Sequence, residues 1–165
     1  MRAAAGLAMI LALAGCNRNT AIGNDREAQL DAAPSPAPVM APQQALANIS
    51  TALIKPETMT EADLAAVGGL DGQCAIRLTE LAFPSFVFAP GVSGTGTIKL
   101  NGKLVPLPAA NEGRFAQGDL SVILRPRDES GDAGLPGMDM IVVVPGAEDE
   151  LGYAGFVECR TGTAT

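Results

Sequence analysis

The sequence of 165 residues predicts a mainly β protein, a small antiparallel β-sandwich or barrel with one or two short N-terminal helices, closed by a disulfide. Three observations carry this expectation. From Cys74 onward the hydrophobic period is two, in one segment after another. Within GTIKLNGKLVPL, Asn101-Gly102 is a type I′ turn signal between two β-favouring runs. A two-residue loop sets Leu100 opposite Lys103 and Ile98 opposite Val105. The same register gathers Ile98, Leu100, Val105 and Leu107 on one face, so turn chemistry and hydrophobicity agree. Third, Cys74 and Cys159 fall on the apolar parity of the first and last predicted strands, where a bridge would staple the ends of the fold together.

At the N-terminus, Arg2 precedes an uncharged apolar run from Ala3 to Leu13. Its length of about 11 residues falls short of the roughly 20 that span a bilayer. A charged start, a modest apolar core and small residues at its end describe a cleavable secretory signal. The ending, Leu13-Ala14-Gly15-Cys16, resembles the lipobox of bacterial lipoproteins. That resemblance implies cleavage ahead of Cys16 by signal peptidase II, a diacylglycerol on the Cys16 thiol and an acylated new amino terminus. The partner so implied is the lipid bilayer. Two or three acyl chains, with ~0.8 kcal/mol per buried CH₂, hold stably where one chain does not. Asn17 follows the cysteine where an Asp would imply inner-membrane retention. The resemblance therefore implies a bacterial cell-envelope protein, lipid-anchored in the outer membrane and facing the periplasm.

On this reading residues 1–15 are the signal peptide, 16–42 a lipidated cysteine with a disordered Pro-rich tether, and 43–165 a single β-rich domain. The tether ends in PSPAPVMAP, from Pro34 to Pro42. Prolines at alternate positions fix φ and remove amide donors, so polyproline-like extension is expected there and neither helix nor sheet.

The first folded residues read as helix. LANISTALI places Leu46, Ile49 and Leu53 at i, i+3 and i+7, an amphipathic pattern that must stop before Pro56. In TMTEADLAAVGG, Thr60 is an N-cap, Glu61 and Asp63 sit in a favourable first turn, and Gly68-Gly69 end a helix of about two turns. The strands follow. CAIRLTE alternates Cys74, Ile76 and Leu78 against Ala75, Arg77 and Thr79, and SFVFA aligns Phe86 with Phe88. After the NG hairpin, DLSVILR alternates Leu120, Val122 and Leu124. MIVVV, Met140 to Val144, is a continuous apolar run and predicts a strand covered on both faces. GYAGFVEC closes the domain with Tyr153, Val157 and Cys159 on one side, making seven strands or so.

Composition excludes several chemistries. There is no histidine, hence no Ser-His-Asp or Cys-His catalysis and no imidazole metal site. Net charge is −7, and loss of Arg2 makes it one unit more negative. Such a chain repels nucleic-acid phosphates, so no nucleic-acid partner is expected, whereas a cationic envelope protein would suit the acidic surface. With Cys16 assigned to lipid, Cys74 and Cys159 remain in an oxidising compartment and are expected to pair. The long loop so closed is worth about 4–5 kcal/mol in chain-entropy terms. No cofactor and no metal are expected, and the expectation is a binding or structural role with no catalytic residues; the alternative, a small envelope hydrolase working through paired carboxylates, has the residue types but no pair that the sequence singles out.

Four further segments bear on sites. RDESGDAGLPGMD sets Asp128, Ser130, Asp132 and Asp139 at calcium-loop positions 1, 3, 5 and 12, yet Ala133 stands where the sharp turn needs Gly and Asp139 where a bidentate Glu belongs. A solvated hairpin loop is the reading. Glu148-Asp149-Glu150 reads as a turn in water. GVSGTG, Gly91 to Gly96, precedes a strand and opens no helix, so it is read as a connection and not a phosphate loop. In LAFPSFVFAP, Phe83, Phe86 and Phe88 are either an exposed binding patch or core.

Finally, NGKLVPLPAANEGRFAQGD, Asn101 to Asp119, is similar in rhythm to the partner-binding region of small lipoproteins that inhibit C-type lysozyme. The resemblance implies a candidate partner loop at Gly113, Arg114 and Phe115. It departs from that pattern in lacking the loop serine, in the spacing of Gly113 and Arg114, and in carrying Phe115 for tyrosine.

Overall fold

Hydrogen-bonded strands succeed one another around a closed barrel in chain order, each antiparallel to the next, in the computed structural model, which describes residues 34–162. They are β1 (Cys74–Arg77), β2 (Phe86–Phe88), β3 (Thr95–Leu100), β4 (Lys103–Asn111), β5 (Arg114–Gln117), β6 (Leu120–Ser130), β7 (Pro136–Val143) and β8 (Leu151–Cys159). The expected signal peptide, Cys16 and the first part of the expected tether lie outside the described residues.

The last strand returns to the first, with Ile76 opposite Val157 and Cys74 directly opposite Cys159. The two cysteines form a disulfide with their Cα atoms 3.9 Å apart. The covalent bond therefore lies across the seam where barrel closure brings together residues 85 positions apart.

The hairpin register is the one that turn chemistry demands. Asn101 (φ 47°) and Gly102 (φ 67°) both adopt left-handed conformations, and Leu100 faces Lys103 while Ile98 faces Val105. Alternate residues fill the barrel. Ile76, Phe86, Ile98, Leu100, Val105, Leu107, Leu120, Val122, Met140 and Val142 are all fully buried. Each large aliphatic or aromatic side chain removed from water contributes roughly 1.5–3 kcal/mol. Phe86 meets Phe115 edge-on at 5.1 Å and stacks on Phe88 at 5.6 Å. Gly96 makes room for this cluster, because a Cβ there would stand 2.2 Å from the Phe86 ring.

Seven strands were expected and the described residues hold eight. The extra one is β5, the four residues RFAQ between the Glu112-Gly113 and Gly118-Asp119 turns. Its shortness hid it, since four residues hold only two positions of one parity. MIVVV also departs from expectation. Met140, Val142 and Val144 are buried inside, but Ile141 and Val143 are only half-buried on the outer face. The run alternates in burial although it does not alternate in chemistry.

The N-terminal segment plugs one end of the barrel. The helix expected over LANISTALI is replaced by a single turn, α1 (Pro42–Ala45), and a separate 3₁₀ turn at Thr51–Leu53. Pro42 suits the first helical position, and Asn48 (φ 61°) ends the run in a left-handed conformation. Leu46 and Ile49 still pack on the core and Ile54 is buried, but Leu53 is 69% exposed. Pro56 then bridges to Leu100 at the tip of β3.

A second layer covers the outside of β1 to β4. Helix α2 (Glu61–Ala66) starts at Thr60 with the expected cap, its Oγ accepting from Asp63 N while the Asp63 carboxylate accepts from Thr60 N. The helix ends at Gly68 and Gly69, both at positive φ. Met59, Leu64, Val67 and Leu70 pack on Ala75, Val87 and Leu104. The Pro-rich segment joins this layer, which corrects its assignment to a free tether up to residue 42. Leu104 N donates to Pro38 O and Met40 N donates to Leu104 O, a parallel bridge centred on Val39. Pro38 can accept but not donate, so the pairing stops at one bridge.

Candidate functional site

The two ends of the barrel differ. Hairpins β3–β4, β5–β6 and β7–β8 lie at the plugged end; β2–β3, β4–β5 and β6–β7 turn at the other. There the inner faces of β2, β6 and β7 and the Glu112-Gly113 turn enclose a cup of about 430 Å³, lined by Phe88, Glu112, Gly113, Leu124, Pro126 and Met138.

Strand parity delivers each wall residue. Phe88 lies one inward position above Phe86, Leu124 one above Val122, and Met138 one before Met140. The deeper member of each pair is fully buried, whereas Phe88 and Met138 are partly buried. Phe88, in the wall, packs on the rings of Phe86 and Phe115 in the core. Pro126 pairs with Met138 at the last regular position of the β6–β7 ladder, before the register shifts toward Ser130. The rim turn is fixed to the wall, since Leu124 N donates to Gly113 O at 2.7 Å. Gly113 sits at φ 70°, and a Cβ there would approach the Leu124 carbonyl to 3.0 Å. The cup thus joins four apolar walls to one carboxylate, that of Glu112, which has no ion-pair partner among the described residues. Such an arrangement can desolvate a small apolar body and hold a polar group at its mouth.

The candidate partner loop is divided by the fold. Gly113 lies on the rim, Arg114 is exposed on the outer face of β5, and Phe115 turns inward with 2% exposure. Phe115 is a core residue, which corrects its place in a contact loop; the alternation of β5 puts adjacent residues on opposite faces. The phenylalanine patch resolves likewise: Phe86 and Phe88 belong to the interior, while Phe83 is 45% exposed.

Asp128 and Ser130 end β6, Asp132 lies in the turn, and Asp139 pairs across β7 with Arg125. Arg127 Nε lies 3.6 Å from Asp139 Oδ1. Among the described residues no group of three or more His, Cys, Asp or Glu side chains is placed to hold a metal ion. The β6–β7 turn is instead held by Glu80, whose carboxylate accepts from Ala133 N at 3.0 Å. Glu148 to Glu150 occupy the β7–β8 connection, and Gly91 to Gly94 the β2–β3 connection.

A clamp on the covering layer escaped the sequence reading. Asp63 is 1% exposed and accepts from Lys99 Nζ at 2.7 Å, Ala37 N at 2.6 Å and Thr60 N at 2.8 Å. Burial raises its pKa, but the hydrogen bonds from Lys99, Thr60 and Ala37 outweigh this and hold the carboxyl well below the usual range. The visible signals were the Thr-x-x-Asp spacing and a lysine on the outer parity of β3; their meeting is tertiary. At the seam, Glu158 accepts from Arg77 Nε at 2.9 Å and Arg160 Nε at 3.0 Å. Burial raises its pKa, and these two arginines lower it further than that.

No curated protein and no solved structure matches this chain. A family model matches residues 12–162, nearly the whole sequence, and the chain therefore belongs to the family described as a domain of unknown function, DUF6692.

Proposed function

We propose that this protein is a lipid-anchored component of the bacterial cell envelope whose barrel is a non-catalytic binding module, taking a small apolar group into the open mouth. The cup of Phe88, Leu124, Pro126 and Met138 is the observation that carries the binding role. Mouths of β-barrels are recurrent ligand sites, and about 430 Å³ is within the roughly 300–1,000 Å³ range of small-molecule pockets. The anchor rests on Leu13 to Cys16, and the outer-membrane location facing the periplasm rests on Asn17 after the cysteine.

Two measurements test the reading. Intact mass of the protein extracted from envelopes should show loss of residues 1–15 and the mass of acyl chains; an unlipidated mass overturns the anchor. With methyl-labelled methionine, the Met138 signal of the full chain in a lipid nanodisc should shift saturably on titration with 2-phenylethanol, a neutral apolar probe. A Leu124→Trp variant, which fills the cup, should abolish the shift. A Met138 signal that does not respond overturns the binding site.

The exposure of Arg114 beside the rim favours one second reading, inhibition of a cationic lysozyme. An Arg114→Ala variant that stays folded should then lose inhibition, and one that inhibits as well as the parent rules the mapping out.

A further inference from the structure

The geometry points to a cationic amphiphile as the occupant of the barrel mouth: an apolar body seated on Phe88, Leu124 and Met138, with an ammonium group against the Glu112 carboxylate. This inference rests on the binding role proposed above and adds the chemical class of the ligand.

Charge decides the class. The six lining residues include one acid and no base. Glu112 is solvent-exposed at the rim and makes no ion pair among the described residues, in contrast to the carboxylates of Asp63 and Glu158. Arg114, two positions on, leaves the mouth because β5 alternation turns it to the outer face. The Leu124–Gly113 hydrogen bond ties the rim turn to the wall, so the backbone that carries Glu112 is held at the edge of the apolar surface. A ligand entering apolar end first brings its polar head to that edge. An anionic head would meet Glu112 and a chain of net charge −7, whereas a cation would gain from both.

The test compares three probes of one shape on the full chain in a nanodisc at neutral pH, read at the Met138 methyl. They are phenethylamine (protonated), 2-phenylethanol (neutral) and phenylacetate (anionic). An exposed carboxylate predicts a modest preference, with the amine about threefold tighter than the alcohol and the acid weakest. Glu112→Gln should lower the affinity ratio of amine to alcohol toward one. If all three bind alike, or if Glu112→Gln leaves that ratio unchanged, the cationic assignment is overturned and the apolar cup stands. If none moves Met138, the cup itself falls and the proposed binding role with it.

Discussion

Replacing Asp63 tests whether the covering layer is held as described. Asp63→Ala removes a buried carboxylate, leaves the Ala37 and Thr60 amides without acceptors, and strands the Lys99 ammonium, whose side chain is only 12% exposed. Loss of one partner from a buried ion pair costs about 3–5 kcal/mol, against a total stability of roughly 5–15 kcal/mol for a domain. Urea titration followed by circular dichroism should register that loss. Asp63→Asn, which keeps one acceptor, should lose about 1–3 kcal/mol and guards against a variant that does not fold. Pairing Asp63→Ala with Lys99→Met should restore much of the deficit, because the stranded charge is then gone. The pH dependence has a definite sign. The folded pKa lies below the unfolded value of about 3.9, so the contribution is complete above about pH 5 and is lost as pH falls through about 4 toward the folded value. The gap between wild type and Asp63→Asn should accordingly be flat above about pH 5 and close at lower pH. A loss under about 1 kcal/mol for Asp63→Ala, or a double variant no more stable than the single one, would refute the clamp.

Two more expectations concern the barrel itself. Converting both Cys74 and Cys159 to Ser should lower stability by about 2–5 kcal/mol in calorimetry, with the fold retained through the four β1–β8 residue pairs; a change under about 1 kcal/mol would show that the seam needs no covalent closure. Gly96→Val should cost about 1–3 kcal/mol or more, because its side chain must displace the Phe86 ring, and an unchanged urea midpoint would contradict that packing.

What the sequence made legible is what local rules govern. The NG hairpin, the Thr60 cap and the inward parity of Leu120, Val122 and Leu124 follow from short-range chemistry plus the two-residue period, and the cysteine pairing from the two cysteines left once Cys16 is set aside. Three misjudgements share another cause. Phe115 looked like a loop residue because two turns crowd the strand that carries it. Leu46, Ile49 and Leu53 have helical spacing, yet Asn48 breaks the helix and the barrel end recruits only the first two. The prolines before Pro42 exclude an extended ladder but not a single bridge. The cup was invisible for a different reason. Its walls come from β2, β6 and β7, with Glu112 from a turn, and only barrel closure makes them neighbours.

The single bridge at Val39 bears on how chains of this protein meet one another. A closed barrel exposes no strand edge, but here β5 pairs only with Ala109 and Asn111, so the stretch of β4 around Leu104 runs on without a neighbour on that side. The amide and carbonyl of Leu104 are the groups that the Pro38 to Met40 segment satisfies, and Leu104 itself is fully buried within the covering layer. A chain beginning after residue 42 would uncover an apolar strand edge, the feature through which β proteins add strands from one molecule to the next. The prolines make the guard one-sided: they meet the needs of Leu104 on one side, and with few donors to offer on the other they give an incoming strand little to extend. The segment expected to be a tether therefore also covers the strand edge at Leu104.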